Sequence, residues 1–172
     1  MTVKIATWNV NSIKARLPQV LEWLQESHCD IALLQEIKCI DEAFPSMEIE
    51  ERGYNIATHG QKTYNGVAIL SKYPIDDVTC GLPTYSEDEA ARYIEAVISL
   101  NDKALRVASV YVPNGQAPNS DKFSYKLTFL ERLQNHIRTL FTYDEACMIG
   151  GDYNVAPDDI DVHDPQRMRG QI

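Results

Sequence analysis

The 172-residue sequence predicts an α/β fold in which helices and sheets form layers, and three observations lead to this prediction. Short apolar runs typical of strands occur near both ends of the chain and in its middle. Two segments with apolar residues at helical spacing separate these runs. The order is strand, helix, strand, several strands, helix, strand, which is typical of a sandwich-like α/β layer rather than of regular Rossmann alternation.

The first half of the chain contributes strands and one helix. Residues 3–10 (VKIATWNV) are rich in strand-forming side chains. Apolar residues at helical spacing predict a helix from residue 16 to about residue 28, with Pro18 in its first turn. Residues 30–36 (DIALLQE) and 66–71 (GVAILS) are short apolar runs that suit buried strands.

The second half begins with a predicted β-hairpin. Residues 93–100 (YIEAVISL) and 105–112 (LRVASVYV) both read as strands. Between them lies Asn101-Asp102-Lys103, whose composition suits a tight turn. The two strands are therefore expected to pair in antiparallel fashion.

A long helix and a last strand follow the hairpin. Ser120 or Asp121 is a suitable N-cap. The predicted apolar face of this helix consists of Phe123, Leu127, Leu130, Leu133 and Ile137. Residues 146–149 are then expected to form a short strand. No internal repeat, low-complexity segment or interdomain linker interrupts the chain, so one domain is expected.

Composition narrows the class of protein. Apolar residues make up 44% of the chain and charged residues 24%, which is typical of a soluble globular domain. No apolar run reaches the roughly 20 residues that a membrane helix requires. The cysteines are too widely spaced for a zinc site or a disulfide framework, so a reducing cytoplasm is expected. A net charge of −9 alone argues mildly against a nucleic-acid partner. It does not exclude one, because a local basic rim can coexist with acidic residues around a metal.

Four predicted strands end in polar residues that can perform chemistry. These residues are Asn9, Glu36, Tyr111, and the pair Asp152 and Asn154. Polar groups gathered at strand ends form a site on a rigid scaffold. Gly150 and Gly151 directly precede Asp152, and glycines allow the backbone to approach its neighbours closely.

The residue types at these strand ends predict a metal site. Glu36 and Asp152 offer the oxygen ligands that Mg²⁺ or Mn²⁺ takes, and Asn9 and Asn154 add amide groups. Without a Cys/His cluster, these donors favour a hard cation over zinc. Each residue alone also fits a purely structural role: Asp152 as a turn former, Glu36 as a solvated charge and Tyr111 as a packing residue.

The order of the motifs resembles one known family. ATWNVNSIKAR, LLQEIK, HGQKTYNGVAILSK, YVPNGQ and GGDYNVAPDDIDVHDP look like the successive motifs of the exonuclease III family of apurinic/apyrimidinic endonucleases. That family belongs to the endonuclease/exonuclease/phosphatase superfamily, together with deoxyribonuclease I. The resemblance runs from Val3 to the last residue. It implies a four-layer α/β sandwich of the deoxyribonuclease I-like type.

The resemblance also implies roles for the site residues. Glu36 would bind Mg²⁺, with Mn²⁺ as an alternative, assisted by Asn9. Tyr111 would lie beside the scissile phosphate. Asp152 would be the general base or proton-handling carboxylate, and Asn154 would hold the phosphate or the attacking water; both are also candidate metal ligands. Positions that match DNA-facing residues of the family are Arg92, Asn114 and Gln116.

The function implied is a metal-dependent phosphodiesterase of DNA repair that incises DNA 5′ to abasic sites and has 3′→5′ exonuclease activity. Its partner would be double-stranded DNA with abasic sites or 3′ ends, and the complete protein would be a monomer that does not act on membranes. One alternative is another superfamily branch that cleaves phosphoinositides or sphingomyelin. A second alternative is an inactive fragment that binds DNA or nothing.

The sequence departs from the family pattern in one respect. Family members are typically longer and carry a terminal Ser-Asp-His motif, which is absent here; the nearest match is His163-Asp164. Residues 1–172 are therefore expected to form the N-terminal part of a single domain, truncated before its C-terminal strands. By itself this part is expected to be a very poor nuclease at best.

Overall fold

The computed structural model describes residues 2–101 and 103–170. Two four-stranded sheets pack face to face, and a helix covers the outer face of each sheet. The predicted α/β sandwich is therefore confirmed. Within the described residues, no helix has the length and apolar character needed to cross a membrane.

The first sheet has the strand order β1-β2-β4-β3. Its strands are β1 (Ile5–Asn9), β2 (Ile31–Gln35), β3 (Asn55–His59) and β4 (Val67–Ser71). Strands β1 and β2 are parallel and are connected through helix α1 (Leu17–Ser27), whereas the other pairings are antiparallel. A short helix, α2 (Ser46–Glu50), precedes β3.

The second sheet has the order β5-β6-β7-β8. Its strands are β5 (Ile75–Cys80), β6 (Tyr93–Leu100), β7 (Lys103–Tyr111) and β8 (Cys147–Asp152). The parallel pair here is β7 and β8, connected through helix α3 (Asp121–Leu140). A one-turn helix, α4 (Pro165–Met168), lies near the end of the chain.

Alternating side chains of the strands build the layers. Along β2, Ile31 and Leu33 face the second sheet, whereas Ala32 and Leu34 face helix α1. On the far side, Phe129 and Leu133 of α3 pack on the outer face of the second sheet. Because β2 is buried on both faces, its sequence is an unbroken apolar run.

The predicted hairpin is confirmed, with a shorter turn than expected. Strands β6 and β7 pair in antiparallel register from Tyr93↔Val110 to Leu100↔Lys103. Lys103 therefore belongs to the strand and not to the turn. Asp102, the second residue of the predicted turn, lies outside the described residues.

The predicted face of α3 is partly wrong. Leu127 is 51% exposed, and the buried residues of the helix are Lys126, Phe129, Leu133, His136 and Leu140. The hydrophobic pattern did not locate the buried face correctly, because Lys126 and His136 are polar and are buried through hydrogen bonds to specific partners. Ser120 is the N-cap, as predicted, and its hydroxyl accepts a hydrogen bond from the amide of Phe123 at 3.1 Å.

A buried polar cluster fastens α3 to the second sheet. The Glu95 carboxylate accepts hydrogen bonds from the Tyr93 hydroxyl at 2.6 Å and from His136 Nε2 at 2.7 Å. Arg106 Nη1 lies 3.5 Å from the other carboxylate oxygen. Burial raises the pKa of Glu95, but the hydrogen bonds from His136 and Tyr93 outweigh burial, and the pKa is lowered. His136 therefore has a structural role.

Strands β3 and β5 were not predicted from the sequence. Strand β5 (IDDVTC) is largely exposed, and its pairing with β6 is irregular between Asp76 and Thr79. A strand at the edge of a sheet does not need an apolar pattern, so polar side chains and a bulge are tolerated there. Strand β3 lies at an edge of the first sheet and likewise has no clear strand pattern in its sequence.

The two glycines before Asp152 are required by close packing. A Cβ atom on Gly151 would lie 1.9 Å from the carbonyl oxygen of Val110, and one on Gly150 would lie 2.9 Å from Cδ1 of Leu33. The Val110 carbonyl belongs to the paired strand β7 and cannot rotate away, whereas the Leu33 methyl group can. The predicted close approach of the backbone is confirmed.

We expect Gly151→Ala to lower the free energy of unfolding by roughly 1–3 kcal/mol or more, as overpacking does, and to displace Asp152. Gly150→Ala should have a smaller effect, because only a side-chain methyl group must move. Urea unfolding of both variants measures the difference. Equal stability of the Gly151 variant and the wild type would mean that β7 and β8 leave room for a Cβ atom beside the Val110 carbonyl oxygen.

Candidate active site

The carboxyl ends of both parallel strand pairs meet at one edge of the sandwich. In the first sheet Asn9, the last residue of β1, pairs with Gln35, the last residue of β2. In the second sheet Tyr111 pairs with Asp152 at the ends of β7 and β8. Strand β1 packs against strand β8 of the other sheet. The polar residues predicted from four separate motifs are therefore brought together.

Asn9 joins the two acidic residues directly. Its Nδ2 donates to Oε1 of Glu36 at 2.8 Å and to Oδ2 of Asp152 at 2.8 Å. Its Oδ1 accepts from the backbone amide of Asn11 at 3.0 Å. Both amide protons are thus used on carboxylates, and one lone pair of the oxygen remains for a further partner. A single side chain sets the spacing between Glu36 and Asp152.

Glu36 leaves strand β2 in an unusual conformation. Its φ is 53°, in the left-handed region that non-glycine residues rarely adopt. Lys38 Nζ lies 2.9 Å from Oε2 of Glu36 and also donates to Oδ1 of Asn11. Burial raises the pKa of Glu36, but the hydrogen bonds from Lys38, Asn9 and Tyr111 outweigh it, and the pKa is lowered. Glu36 is therefore anionic at neutral pH.

Asp152 is held at both of its carboxylate oxygens. Oδ2 accepts from Asn9, and Oδ1 accepts from the backbone amide of Asn154 at 2.9 Å. Asn154 adopts a left-handed φ of 50°, which turns its amide back toward Asp152. The side-chain Nδ2 of Asn154 donates to the carbonyl oxygen of Val112 at 2.8 Å. Its Oδ1 is the atom that remains to accept a hydrogen bond from water or to contact a cation.

Tyr111 and Arg92 form the neighbouring wall of the site. The Arg92 guanidinium carbon lies 4.8 Å from the centre of the Tyr111 ring, and Nη1 donates to the Tyr111 carbonyl oxygen at 3.3 Å. Burial, followed by the charge of Glu36, raises the pKa of Tyr111 to about 12, so its hydroxyl is a proton donor at neutral pH. Arg92 Nε is buried without a hydrogen-bond partner among the described residues.

A cleft of about 420 Å³ connects this wall to the predicted DNA-facing residues. Glu36 and Tyr111 line the cleft together with all three of these residues, which are Arg92, Asn114 and Gln116. Lys38 and Lys122 add positive charge to the lining. The acidic net charge of the chain therefore coexists with a basic rim at this cleft, as the sequence allowed.

Gln35 was not singled out from the sequence, although it lies directly behind the site. Its Nε2 donates to the Ser109 hydroxyl of the second sheet at 2.9 Å and to Oγ1 of Thr7 at 3.1 Å. Ser109 in turn donates to the carbonyl oxygen of Leu34 at 2.9 Å. These buried bonds link the two sheets one residue away from Glu36. The presence of a polar residue at the end of an apolar strand was the available signal.

Lys126 was also missed, because lysines are almost always exposed. Only 3% of this residue is exposed, and Nζ donates to the carbonyl oxygen of Asn154 at 2.5 Å and to that of Asn114 at 3.3 Å. Burial lowers the pKa of Lys126, and the charge of Asp152 opposes this effect. The available signal was its spacing, because Lys126 lies on the same helix face as Leu130 and Leu133.

The donors present fit a hard divalent cation with few protein ligands. Among the described residues, no group of three or more His, Cys, Asp or Glu side chains could hold a metal. Glu36 and Asp152 offer two carboxylates within reach of one amide group. Mg²⁺ is typically bound through one or two carboxylates and keeps several waters, so this donor set suits it.

A two-sheet α/β sandwich with an acidic and amide-rich site at its strand ends defines a class of phosphoester-processing proteins. The chain belongs to the endonuclease/exonuclease/phosphatase family, whose model matches residues 6–172. The resemblance seen in the sequence motifs is thereby confirmed.

The relatives of this chain are nucleases and DNA-processing enzymes. Over 161 residues the chain is 34% identical to exodeoxyribonuclease III of Haemophilus influenzae, covering 93% of this chain and 60% of that protein. A Neisseria 3′ phosphatase solved with a product DNA hairpin is 40% identical, with a TM-score of 0.92, covering 99% of this chain and 65% of that one. An AP endonuclease from Archaeoglobus fulgidus is 39% identical, with a TM-score of 0.90, covering 99% and 64%. The chain thus spans about 60–65% of the length of these relatives.

Proposed function

We propose that the protein is a divalent-metal-dependent DNA phosphodiesterase of base-excision repair, which incises 5′ to abasic sites and removes nucleotides from 3′ ends. The observation that carries the proposal is the Glu36–Asn9–Asp152 linkage at the edge of a cleft that also holds Arg92. The names of the relatives, an exodeoxyribonuclease III and an AP endonuclease, support DNA as the substrate.

Glu36 and Asn9 are the proposed holders of the metal, with Mg²⁺ as the first choice and Mn²⁺ as the alternative. When bound, such a cation polarises a phosphoryl oxygen and neutralises charge that develops there. The low pKa of Glu36 keeps this carboxylate charged and ready for a cation at neutral pH. Lys38 is paired with the same carboxylate and would turn to a phosphate when the cation binds.

Asp152 is the proposed general base. It would accept a proton from the attacking water while Asn9 and the amide of Asn154 fix its two oxygens. Asn154 Oδ1 would orient this water, because its Nδ2 is engaged with Val112. Asn154 is thus better suited to holding the water than to donating to the phosphate, which narrows the two roles that the sequence left open.

Tyr111 and Arg92 are the proposed contacts to the scissile phosphate. The neutral Tyr111 hydroxyl, which hydrogen-bonds to Glu36 here, would turn to a phosphate oxygen once a cation neutralises Glu36, and the guanidinium group of Arg92, which lines the same cleft, would pair with the phosphate charge. Asn114 and Gln116 extend the same cleft and would follow the DNA backbone. We retain the expectation of a monomeric, cytoplasmic protein, which the four free cysteines permit.

A comparison of substrates tests this proposal against the lipid-cleaving branches. We expect the full-length protein with Mg²⁺ to cleave a duplex with one tetrahydrofuran abasic analogue. Vesicles with phosphatidylinositol bisphosphate and vesicles with sphingomyelin should remain uncleaved. A duplex with an unmodified 3′ end should be shortened from that end. Preferred cleavage of either lipid would overturn the assignment to DNA, and binding of DNA without any cleavage would favour the inactive alternative.

A further inference from the structure

Lys126 is a buried charge whose acceptors lie on the two loops next to the site. It lies in the second turn of α3, and its ammonium group donates to the carbonyl oxygens of Asn154 and Asn114. An ammonium group without such acceptors would be very costly to bury. Because the acceptors are backbone carbonyls rather than a carboxylate, the interaction holds main-chain segments in place.

These two carbonyls belong to loops that carry proposed DNA and water contacts. Asn114 follows strand β7, and Asn154 follows strand β8. Lys126 therefore ties the loops to each other and to a helix that is itself fixed to the second sheet through His136 and Glu95. The loops and the sheet thus share one rigid frame.

The bond to Asn154 reaches Asp152 through a single residue. The carbonyl of Asn154 accepts from Lys126, and its amide donates to Oδ1 of Asp152. Asn154 is in the left-handed conformation, which Asn tolerates better than most residues but which is still less favourable than the right-handed one. Loss of the ammonium group would release one of the hydrogen bonds that restrain it and allow the amide to turn away from Asp152.

We propose that Lys126 is a positioning residue for hydrolysis of DNA phosphodiesters, which fixes the backbone of Asn154 and Asn114 and thereby keeps Asp152 aligned for proton transfer. This inference rests on the proposed function of the site. A methionine would fill nearly the same volume without the cost of burying a charge. The contribution of the ammonium group is therefore expected in the alignment of the loops and not in packing.

The test compares Lys126→Met with Lys126→Arg and with Arg138→Met, which removes an exposed cation from the same helix. For Lys126→Met we expect kcat on an abasic duplex to fall roughly 10- to 100-fold, as for a displaced reacting group, with KM nearly unchanged. The thermal midpoint should stay the same or rise. Lys126→Arg should recover part of kcat, and Arg138→Met should match the wild type.

Carbonyl ¹³C resonances give a readout that does not depend on activity. In Lys126→Met the signals of Asn114 and Asn154 should shift, because both carbonyls lose a charge-assisted hydrogen bond. If the variant does not fold, Lys126→Gln, which keeps N–H donors without the charge, replaces it with the same expectations.

The outcomes separate this inference from the proposed function. If the wild type cleaves DNA and the folded Lys126 variant has kcat within about twofold of it, the positioning role is overturned. A fall in kcat that merely follows a fall in thermal stability would also overturn it. If the wild type cleaves no phosphodiester, the proposed function fails. The carbonyl resonances then decide whether Lys126 holds the two loops: unshifted signals would overturn that role, and shifted signals would support it.

Discussion

Replacing Asp152 with Asn is expected to lower kcat for DNA incision by about 10²–10⁴-fold, the usual contribution of a general base. Asn is nearly isosteric and can still accept the hydrogen bond from the amide of Asn154. It lacks the charged, basic oxygen that would take a proton from water. Since this contribution is made in the transition state, kcat and kcat/KM should fall together.

DNA binding separates this prediction from a structural role of the same residue. We expect the Kd of the Asp152→Asn variant for an abasic duplex to stay near that of the wild type, measured without Mg²⁺. The exposed residue Asp159 provides a matched control, and Asp159→Asn should retain full activity. Near-normal kcat in Asp152→Asn would leave the turn-forming interpretation in place, because Asn forms such turns as readily as Asp.

Glu36→Ala is expected to raise the Mg²⁺ concentration needed for half-maximal activity by at least roughly tenfold, since even the loss of an outer-shell partner typically costs this much metal affinity. Glu36 is charged at neutral pH and is linked to Asp152 through Asn9. Its removal takes away the only carboxylate that follows strand β2 directly.

Binding of Mn²⁺, followed by electron paramagnetic resonance, measures the same affinity without catalysis. The variant should bind Mn²⁺ more weakly by a similar factor. Glu48→Ala, which removes an exposed carboxylate on α2, is the matched control and should behave as the wild type. If Glu36→Ala needs the same Mg²⁺ concentration as the wild type for half-maximal activity, Glu36 is merely a charge paired with Lys38.

Strand β2 was predictable because it is buried on both faces, so that its sequence is a short apolar run. The charged residue Glu36 marks the end of this run. The gathering of strand ends into one site also followed from the sequence, since polar residues ended four strands. Strands β3 and β5 lie at sheet edges, where no apolar pattern is required, and they gave no comparable signal.

The hydrogen bonds that hold the site residues in place could not be predicted from the sequence. Lys126 lies four residues before Leu130 and seven before Leu133, so helical spacing places it on the apolar side of α3, where a lysine is not expected. Its burial depends on two carbonyls, of Asn114 and Asn154, that come from distant segments of the chain. The role of Asn9 as a bridge between carboxylates likewise depends on the packing of β1 against β8, which is a tertiary contact.

The position of the cut in an abasic duplex distinguishes the proposed incision from any other cleavage of DNA. A 5′-labelled duplex with one tetrahydrofuran residue is incubated with the full-length wild-type protein or with Asp152→Asn, each with Mg²⁺ or with a chelator. We expect one labelled product that ends in a 3′-hydroxyl immediately 5′ to the abasic residue, formed by the wild type with Mg²⁺ and nearly absent in the other three reactions. Equal cleavage by Asp152→Asn, or cleavage that persists in the chelator, would contradict the proposed roles of Asp152 and the metal.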